Sequence, residues 1–247
     1  WDAGSARLVE RAGAKAIATT SGGVAWSLGV ADGGGLDRER AARSIREIVQ
    51  TVRVPVTADI ERGYGDTLDE LATTIQLVLE AGAVGINLED SGGDPLYSPE
   101  EMAERIRTAR ATADAFGVPL FINARTDVYL RGVGEESGRL GEVISRAKVY
   151  AAAGANGLFV PRLLDLDALR ELTSAVTLPV NAMVGFGAPA VGQLAEAGVR
   201  RVSAGTALVQ SAYAHIDRAA RELLEHGTYA SYEEALAYPD VNEMFER

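Results

Sequence analysis

The chain contains no cysteine. That absence removes disulfides, thiolate metal ligands and a cysteine nucleophile together, and it fits a reducing, cytoplasmic setting. Lysine is almost missing: only Lys15 and Lys148 occur. Lys15 stands at the entry of an apolar run and Lys148 lies within a helix-period stretch, so Schiff-base aldolase and pyridoxal phosphate chemistry are disfavoured. Both histidines, His215 and His226, fall in one late helical stretch. They read as surface or packing residues, with His215 the better placed for chemistry. Acidic residues outnumber basic ones, 35 to 24, and the net charge of −11 argues against a nucleic-acid partner, which requires a basic face. It does not exclude a small anionic substrate, because a site can be locally positive in an acidic protein. No apolar run approaches the roughly 18 to 20 residues of a membrane span, so no membrane partner is expected.

What is present is a rhythm. Short apolar runs recur at 16–23, 55–65, 84–93, 119–127, 157–163, 179–187 and 201–208, each followed by a helix-period stretch. Such alternation reads as a parallel sheet with covering helices. The lead-ins alternate too. Ala-Gly-Ala or Ala-Gly-Val (12–14, 81–83, 153–155, 197–199) precedes odd-numbered runs, and Val-Pro or Leu-Pro (54–55, 118–119, 178–179) precedes even-numbered ones. Gly13, Gly82, Gly154 and Gly198 suit the left-handed residue that ends a helix. A two-unit rhythm fits a (β/α)8 TIM barrel, and α/β barrels of this length are commonly single domains. Only seven of its strands are visible, and the opening WDAGSARLVERAG reads as a post-strand loop and helix. The missing first strand is therefore expected upstream of Trp1. Residues 1–247 are expected to form one barrel domain, with 203–247 as a C-terminal helical segment. In that tail Ser231 and Glu234 suggest a helix start.

Barrel active sites lie at the C-terminal ends of the strands. Reading only those ends gives Ser21, Gly22 and Gly23, then Asp32, then Asp59 and Glu61, then Asn87, Glu89 and Asp90, then Asn123, Arg125 and Asp127, and finally Arg162 and Asn181. Four carboxylates, Asp32, Asp59, Glu61 and Glu89, converge without histidine or cysteine. An all-oxygen set suits a hard cation such as Mg2+; pairing with arginines such as Arg62 is the plainer alternative. Arg125 beside Asn123 offers a planar fork for a substrate carboxylate or phosphonate, unless Asp127 or Glu89 takes it. Ser21, Gly22 and Gly23 can present backbone N–H groups to an anion.

These stretches resemble the isocitrate lyase / phosphoenolpyruvate mutase superfamily. WDAGSAR is similar to its NAWDxxSAR opening, TTSGGVAWSLGVADG to its substrate-carboxylate loop, and TADIERGYG to its D-x-[DE]-x-G-[YF]-G metal segment; INLED and NARTD resemble the next two strand ends. The resemblance implies a Mg2+-dependent enzyme (Mn2+ as a substitute) that makes or breaks a bond next to a 2-oxo acid through a pyruvate-type enolate. It places Asp59 on the metal directly or through water, with Glu61, Glu89 and Asp32 completing the shell. It assigns Ser21, Gly22 and Gly23 to the substrate carboxylate and Arg125 to the developing oxyanion, and it implies a homotetramer in which C-terminal helices are swapped. Lyases of the family carry a Lys-Arg-Cys-Gly-His type loop after the Glu-Asp strand end, and mutases a lysine. Here that place reads DSGGDPLYS, residues 90–98, so this loop is expected to gate the site without supplying a proton. The expected reaction is cleavage or decarboxylation of an oxaloacetate-like 2-oxo or 2-hydroxy dicarboxylate, with the enolate protonated by water or by Tyr64 or Tyr97. The alternatives are a carbon–phosphorus enzyme of the phosphoenolpyruvate mutase or phosphonopyruvate hydrolase type, and a non-catalytic oxo-acid binder.

Overall fold

The structure, a computed structural model, describes residues 1–92 and 94–246. Gly93, in the 90–98 loop, lies outside the described residues. The chain falls into two compact units, Trp1–Gly205 and Thr206–Arg247.

In the first unit seven parallel strands follow one another around the sheet in chain order, a nearly closed barrel with surrounding helices. They are β1 (Ile17–Ala18), β2 (Val56–Asp59), β3 (Gly85–Glu89), β4 (Phe121–Arg125), β5 (Gly157–Phe159), β6 (Val180–Met183) and β7 (Arg201–Ser203). The helices are α1 (Ala3–Arg11), α2 (Ser21–Ser27), α3 (Arg38–Thr51), α4 (Leu68–Glu80), α5 (Pro99–Phe116), α6 (Arg139–Ala152), α7 (Leu166–Ala175) and α8 (Val191–Glu196). Helix starts follow local chemistry. Thr67 with Glu70 and Ser98 with Glu101 form reciprocal capping boxes, the latter with Pro99 in the first turn, where its missing N–H costs nothing. Gly13, Gly82, Gly154 and Gly198 take φ of 101°, 93°, 104° and 87°, as the lead-in pattern predicts.

The strands are two-faced. Ala58, Ile60, Ile86, Leu88, Ile122, Ala124, Leu158 and Val180 alternate outward and pack under Leu71, Ile75, Met102, Ile106, Val143 and Leu172 of the helices, all almost fully buried. The other set faces the interior of the barrel and is mostly polar. Strand register stacks that set in layers: Asp59 lies opposite Asn87, Asn87 opposite Asn123, and Asn123 opposite Gly157. Above them Glu89 lies opposite Arg125, Arg125 opposite Phe159, and Phe159 opposite Asn181. The lower interior needs small residues. A Cβ on Gly157 would lie 2.7 Å from Asn123 Oδ1 and 3.1 Å from the Phe121 ring.

The second unit holds α9 (Ala207–Arg221), a π turn at Glu222–His226, a 3-10 turn at Ala230–Tyr232 and α10 (Tyr238–Glu243). Ser231 does not open a helix with Glu234. Its N–H and hydroxyl both bond the carboxylate of Glu222, which also accepts from Ala230 N and Thr228 Oγ1. An ionised acceptor with two oxygens outcompetes a local cap, and these bonds pull the Glu222 carboxyl down to about 2. Among the described residues no helix is long and apolar enough to cross a membrane.

Candidate active site

Asp59 closes β2. Its N–H bonds Thr19 Oγ1 at 2.8 Å, and its Oδ2 accepts from Ser21 N at 3.3 Å. Its Oδ1 is buried and meets no donor among the described residues. Two residues on, Glu61 sits at φ 51°, and its buried Oε1 is likewise without a donor. Burial raises the Asp59 carboxyl against the pull of Arg125. Burial, then the charges of Asp32 and Asp59, push Glu61 up to about 7. Asp32 is exposed in the turn beyond α2. Orphaned buried acceptors are costly, so these two strand-end oxygens fit a positive ligand. Among the described residues no three acidic or histidine side chains are arranged to hold a metal ion jointly. A hard cation that keeps several waters needs only one or two carboxylates from the chain, and Asp59 and Glu61 could supply them.

Glu89 and Arg125 face each other on β3 and β4, with Arg125 Nη1 2.8 Å from Glu89 Oε2. Asp127 grips the other edge of the guanidinium, Nε to Oδ1 at 2.6 Å and Nη2 to Oδ2 at 2.9 Å. The ring of Phe159 lies 5.7 Å beneath it. The fork expected to be open is thus largely taken by the chain's own acids. Three of the five guanidinium N–H groups are engaged, leaving one hydrogen on each terminal nitrogen. Burial opposes the charge on Arg125, but Glu89 and Asp127 outweigh it and push its pKa up. Burial likewise raises Glu89, to about 8, with Asp127, Asp59 and Glu61 adding to it against Arg125.

Tyr64 also occupies the left-handed region, at φ 51°, and its hydroxyl lies 3.5 Å from the carbonyl of Asp59. Burial and the surrounding acids, Glu61 first among them, hold it protonated. Asn123 Nδ2 donates to Asn87 Oδ1 at 2.9 Å and Asn181 Nδ2 to Ser203 Oγ at 3.0 Å. Asn123 Oδ1 and Asn181 Oδ1 stay without a donor among the described residues. Ser21, Gly22 and Gly23 are not an open loop: they form the buried first turn of α2, after an extended Thr20. The Ser21 N–H is already engaged by Asp59, so only Gly22 and Gly23 retain first-turn N–H groups without an intrahelical acceptor.

Three features of the site were not read from the sequence. Arg105 of α5 clasps the Asp59–Asp66 turn, donating to Arg62 O, Gly65 O (3.1 Å) and Asp66 O (3.2 Å), with its guanidinium 4.9 Å from the Tyr97 ring. That clasp holds the two left-handed residues, each costing on the order of 1–3 kcal/mol. Behind Arg125, Asp90 accepts from Asp127 N (3.0 Å), Arg146 Nη1 (3.1 Å) and Tyr150 Oη (2.8 Å), and Ser91 Oγ donates to Asp127. Arg201 crosses the barrel from β7 to Thr57 Oγ1 at 3.1 Å. The one local signal was Arg146 and Tyr150, a polar i,i+4 pair on the buried face of α6.

A barrel with acids and one clamped arginine at its strand ends defines a class, and the comparisons agree. The family model for phosphoenolpyruvate phosphomutase matches residues 1–224. The chain belongs to this family, within the isocitrate lyase/phosphoenolpyruvate mutase superfamily. It is 35% identical over 200 residues to 2-methylisocitrate lyase of Escherichia coli, covering 76% of this chain and 64% of that enzyme. It is 29% identical over 166 residues to oxaloacetate decarboxylase 1 of Pseudomonas fluorescens, covering 64% of this chain and 55% of that one. A crystal structure from Burkholderia cenocepacia, provisionally described as a lyase/mutase, superposes with a TM-score of 0.92 at 39% identity, covering 100% of this chain and 88% of that one.

Proposed function

We propose that the chain is a Mg2+-dependent lyase that cleaves or decarboxylates a small 2-oxo or 2-hydroxy dicarboxylate of the oxaloacetate type. The observation that carries this reading is the pair of buried, donorless oxygens, Asp59 Oδ1 and Glu61 Oε1, beside the clamped Arg125. Asp59 and Glu61 would hold the ion, with Glu89 and Asp32 completing its surroundings through water. When bound, Mg2+ supplies a Lewis acid for the 2-oxo group. Arg125, fixed by Asp127 and Glu89, keeps two hydrogens for an oxygen on which charge develops, and such preorganised donors are worth most where water is excluded. The residual N–H groups of Gly22 and Gly23 orient the substrate carboxylate. Departing CO2 takes no proton, so a loop without lysine, cysteine or histidine suffices. Tyr64, held protonated beside Asp59, keeps a proton at Oη that the enolate could take, with water as the other source. The exposed apolar side chains of the second unit, among them Leu208, Ile216, Leu224 and Tyr238, support a homotetramer closed by exchanged tails; light scattering reads this, and a 26.0 kDa species would refute it.

The test is a panel of oxaloacetate, 2-hydroxy dicarboxylates and phosphonopyruvate with Mg2+, followed by pyruvate release. Turnover of a dicarboxylate that stops in excess chelator is the expected result. Turnover of phosphonopyruvate alone would replace this reading by carbon–phosphorus chemistry, and no turnover by a binding role.

A further inference from the structure

Beside Glu61 and Glu89 the barrel mouth opens into a cavity of about 390 Å³, which Tyr64, Ser91, Arg62 and Arg131 help to line. Its size suits one small ligand. Two of the lining side chains are cations. Arg62 is paired with Asp66, 3.3 Å away. Arg131 is not paired with any carboxylate among the described residues: its Nη1 donates to the carbonyl of Pro95 at 3.1 Å. Its backbone is fixed, because its N–H bonds Asp127 O at 2.8 Å, the same Asp127 that grips Arg125.

An arginine in a cavity lined by Glu61, Asp66, Glu70 and Glu89 would ordinarily settle on one of them. This one rests on a neutral carbonyl, which leaves most of its donors and all of its charge available. Three other arginines at this end have acid or multiple carbonyl partners: Arg125 holds Glu89 and Asp127, Arg146 holds Asp90 and Glu142, and Arg105 holds three carbonyls. Arg162, after β5, is exposed and is not among the residues that line the cavity. A ligand whose 2-oxo acid end lies at Asp59 and Arg125 would extend toward the loops after β3 and β4, where Arg131 stands.

We propose that Arg131 is a specificity-determining residue that binds the second carboxylate of a dicarboxylate ligand. The inference rests on the oxo-acid reading of the site and adds the requirement for a distal anion. Selectivity follows from charge: a monocarboxylate fills the inner site and leaves Arg131 on Pro95 O, whereas a dicarboxylate engages both ends.

The experiment is calorimetric binding of malate and of pyruvate, with saturating Mg2+, to the wild-type chain and to Arg131→Met and Arg131→Lys. A hydrogen-bonded charge contact contributes roughly 1.5–3 kcal/mol, so Arg131→Met is expected to weaken malate at least about tenfold and to change pyruvate less than about twofold. Arg131→Lys should recover part of the malate loss. Arg131 is exposed, so melting temperatures should coincide. Equal weakening of malate and pyruvate would mean that Arg131 only tethers Pro95, and unchanged malate affinity would mean that it does nothing; either overturns the inference. Each result is separable from the reaction itself, because oxaloacetate turnover by the wild-type chain is measured independently. Wild-type binding of pyruvate but not malate would overturn it too.

Discussion

Two neighbouring groups of acids at the same end of the barrel are built in opposite ways. At β2, Asp59 and Glu61 keep buried oxygens that no donor in the described chain reaches. After the next two strands, Asp90 and Asp127 have theirs engaged by Arg146, Tyr150, Ser91 and Arg125. Both groups are carboxylates at or just past strand ends, Asp90 and Asp127 the more deeply buried, and they differ most in the supply of donors. Satisfied acids read as scaffold, and on the proposed function the donorless pair is where a positive ligand would sit. Burying carboxylates without donors costs free energy, and retaining them is a concession of stability to function.

The comparison predicts that the paired side breaks hard and the unpaired side does not. Arg125→Ala removes the member that faces both groups, and pyruvate release is expected to fall by about 10²–10³, the usual loss for one oxyanion donor; a drop under tenfold in steady-state assays would separate Arg125 from the chemistry. Asp90→Ala should destabilise the fold by about 1–3 kcal/mol in urea unfolding, since it strips the buried acceptor from Asp127 N, Tyr150 Oη and Arg146 Nη1 although Glu142 still pairs Arg146. A shift under 1 kcal/mol would show that the network is decorative.

A gentler perturbation is pH. Glu61 and Glu89 titrate near 7 and 8 in the folded chain, above the ordinary 4.5. The metal-free native state therefore binds more protons than the unfolded chain between pH 4.5 and about 8, and its stability falls as pH rises through that window. Melting of the chelated protein should drop from pH 5 to pH 8, and added Mg2+ should raise the melting temperature more at pH 8 than at pH 5. A metal-free stability that rises over this range would contradict the assignment. The smallest effect is expected at Asp94→Ala in the 90–98 loop. Asp94 is exposed, and turnover should change less than about tenfold, below the 10²–10⁴ of a lost general acid or base.

Much of this was legible in the sequence because it is local. The apolar runs and their glycine or proline lead-ins mark all seven strands, and Ser98-Pro99 marks a helix start. The strand-end rule then selects Asp59, Glu61, Glu89 and Arg125. The remainder depends on long-range partners. Nothing near Arg105 indicates that it will clasp a turn some 40 residues away, and Asp90 meets Tyr150 across 60 residues. Ser21-Gly22-Gly23 read as an anion loop because glycine lets backbone N–H groups approach a ligand closely, yet the segment folds as the buried first turn of α2. Ser231 looked like a cap only because Glu222, nine residues back, was out of view.

The central claim is that the donorless acids of β2 are a metal site. Mg2+ titrated calorimetrically into chelator-treated protein at pH 8 tests it directly, in the wild-type chain and in Asp59→Asn. The account predicts one ion per wild-type chain and no measurable binding to Asp59→Asn, which should stay folded and melt no lower than the metal-free wild type. Equal Mg2+ binding by both proteins would contradict it.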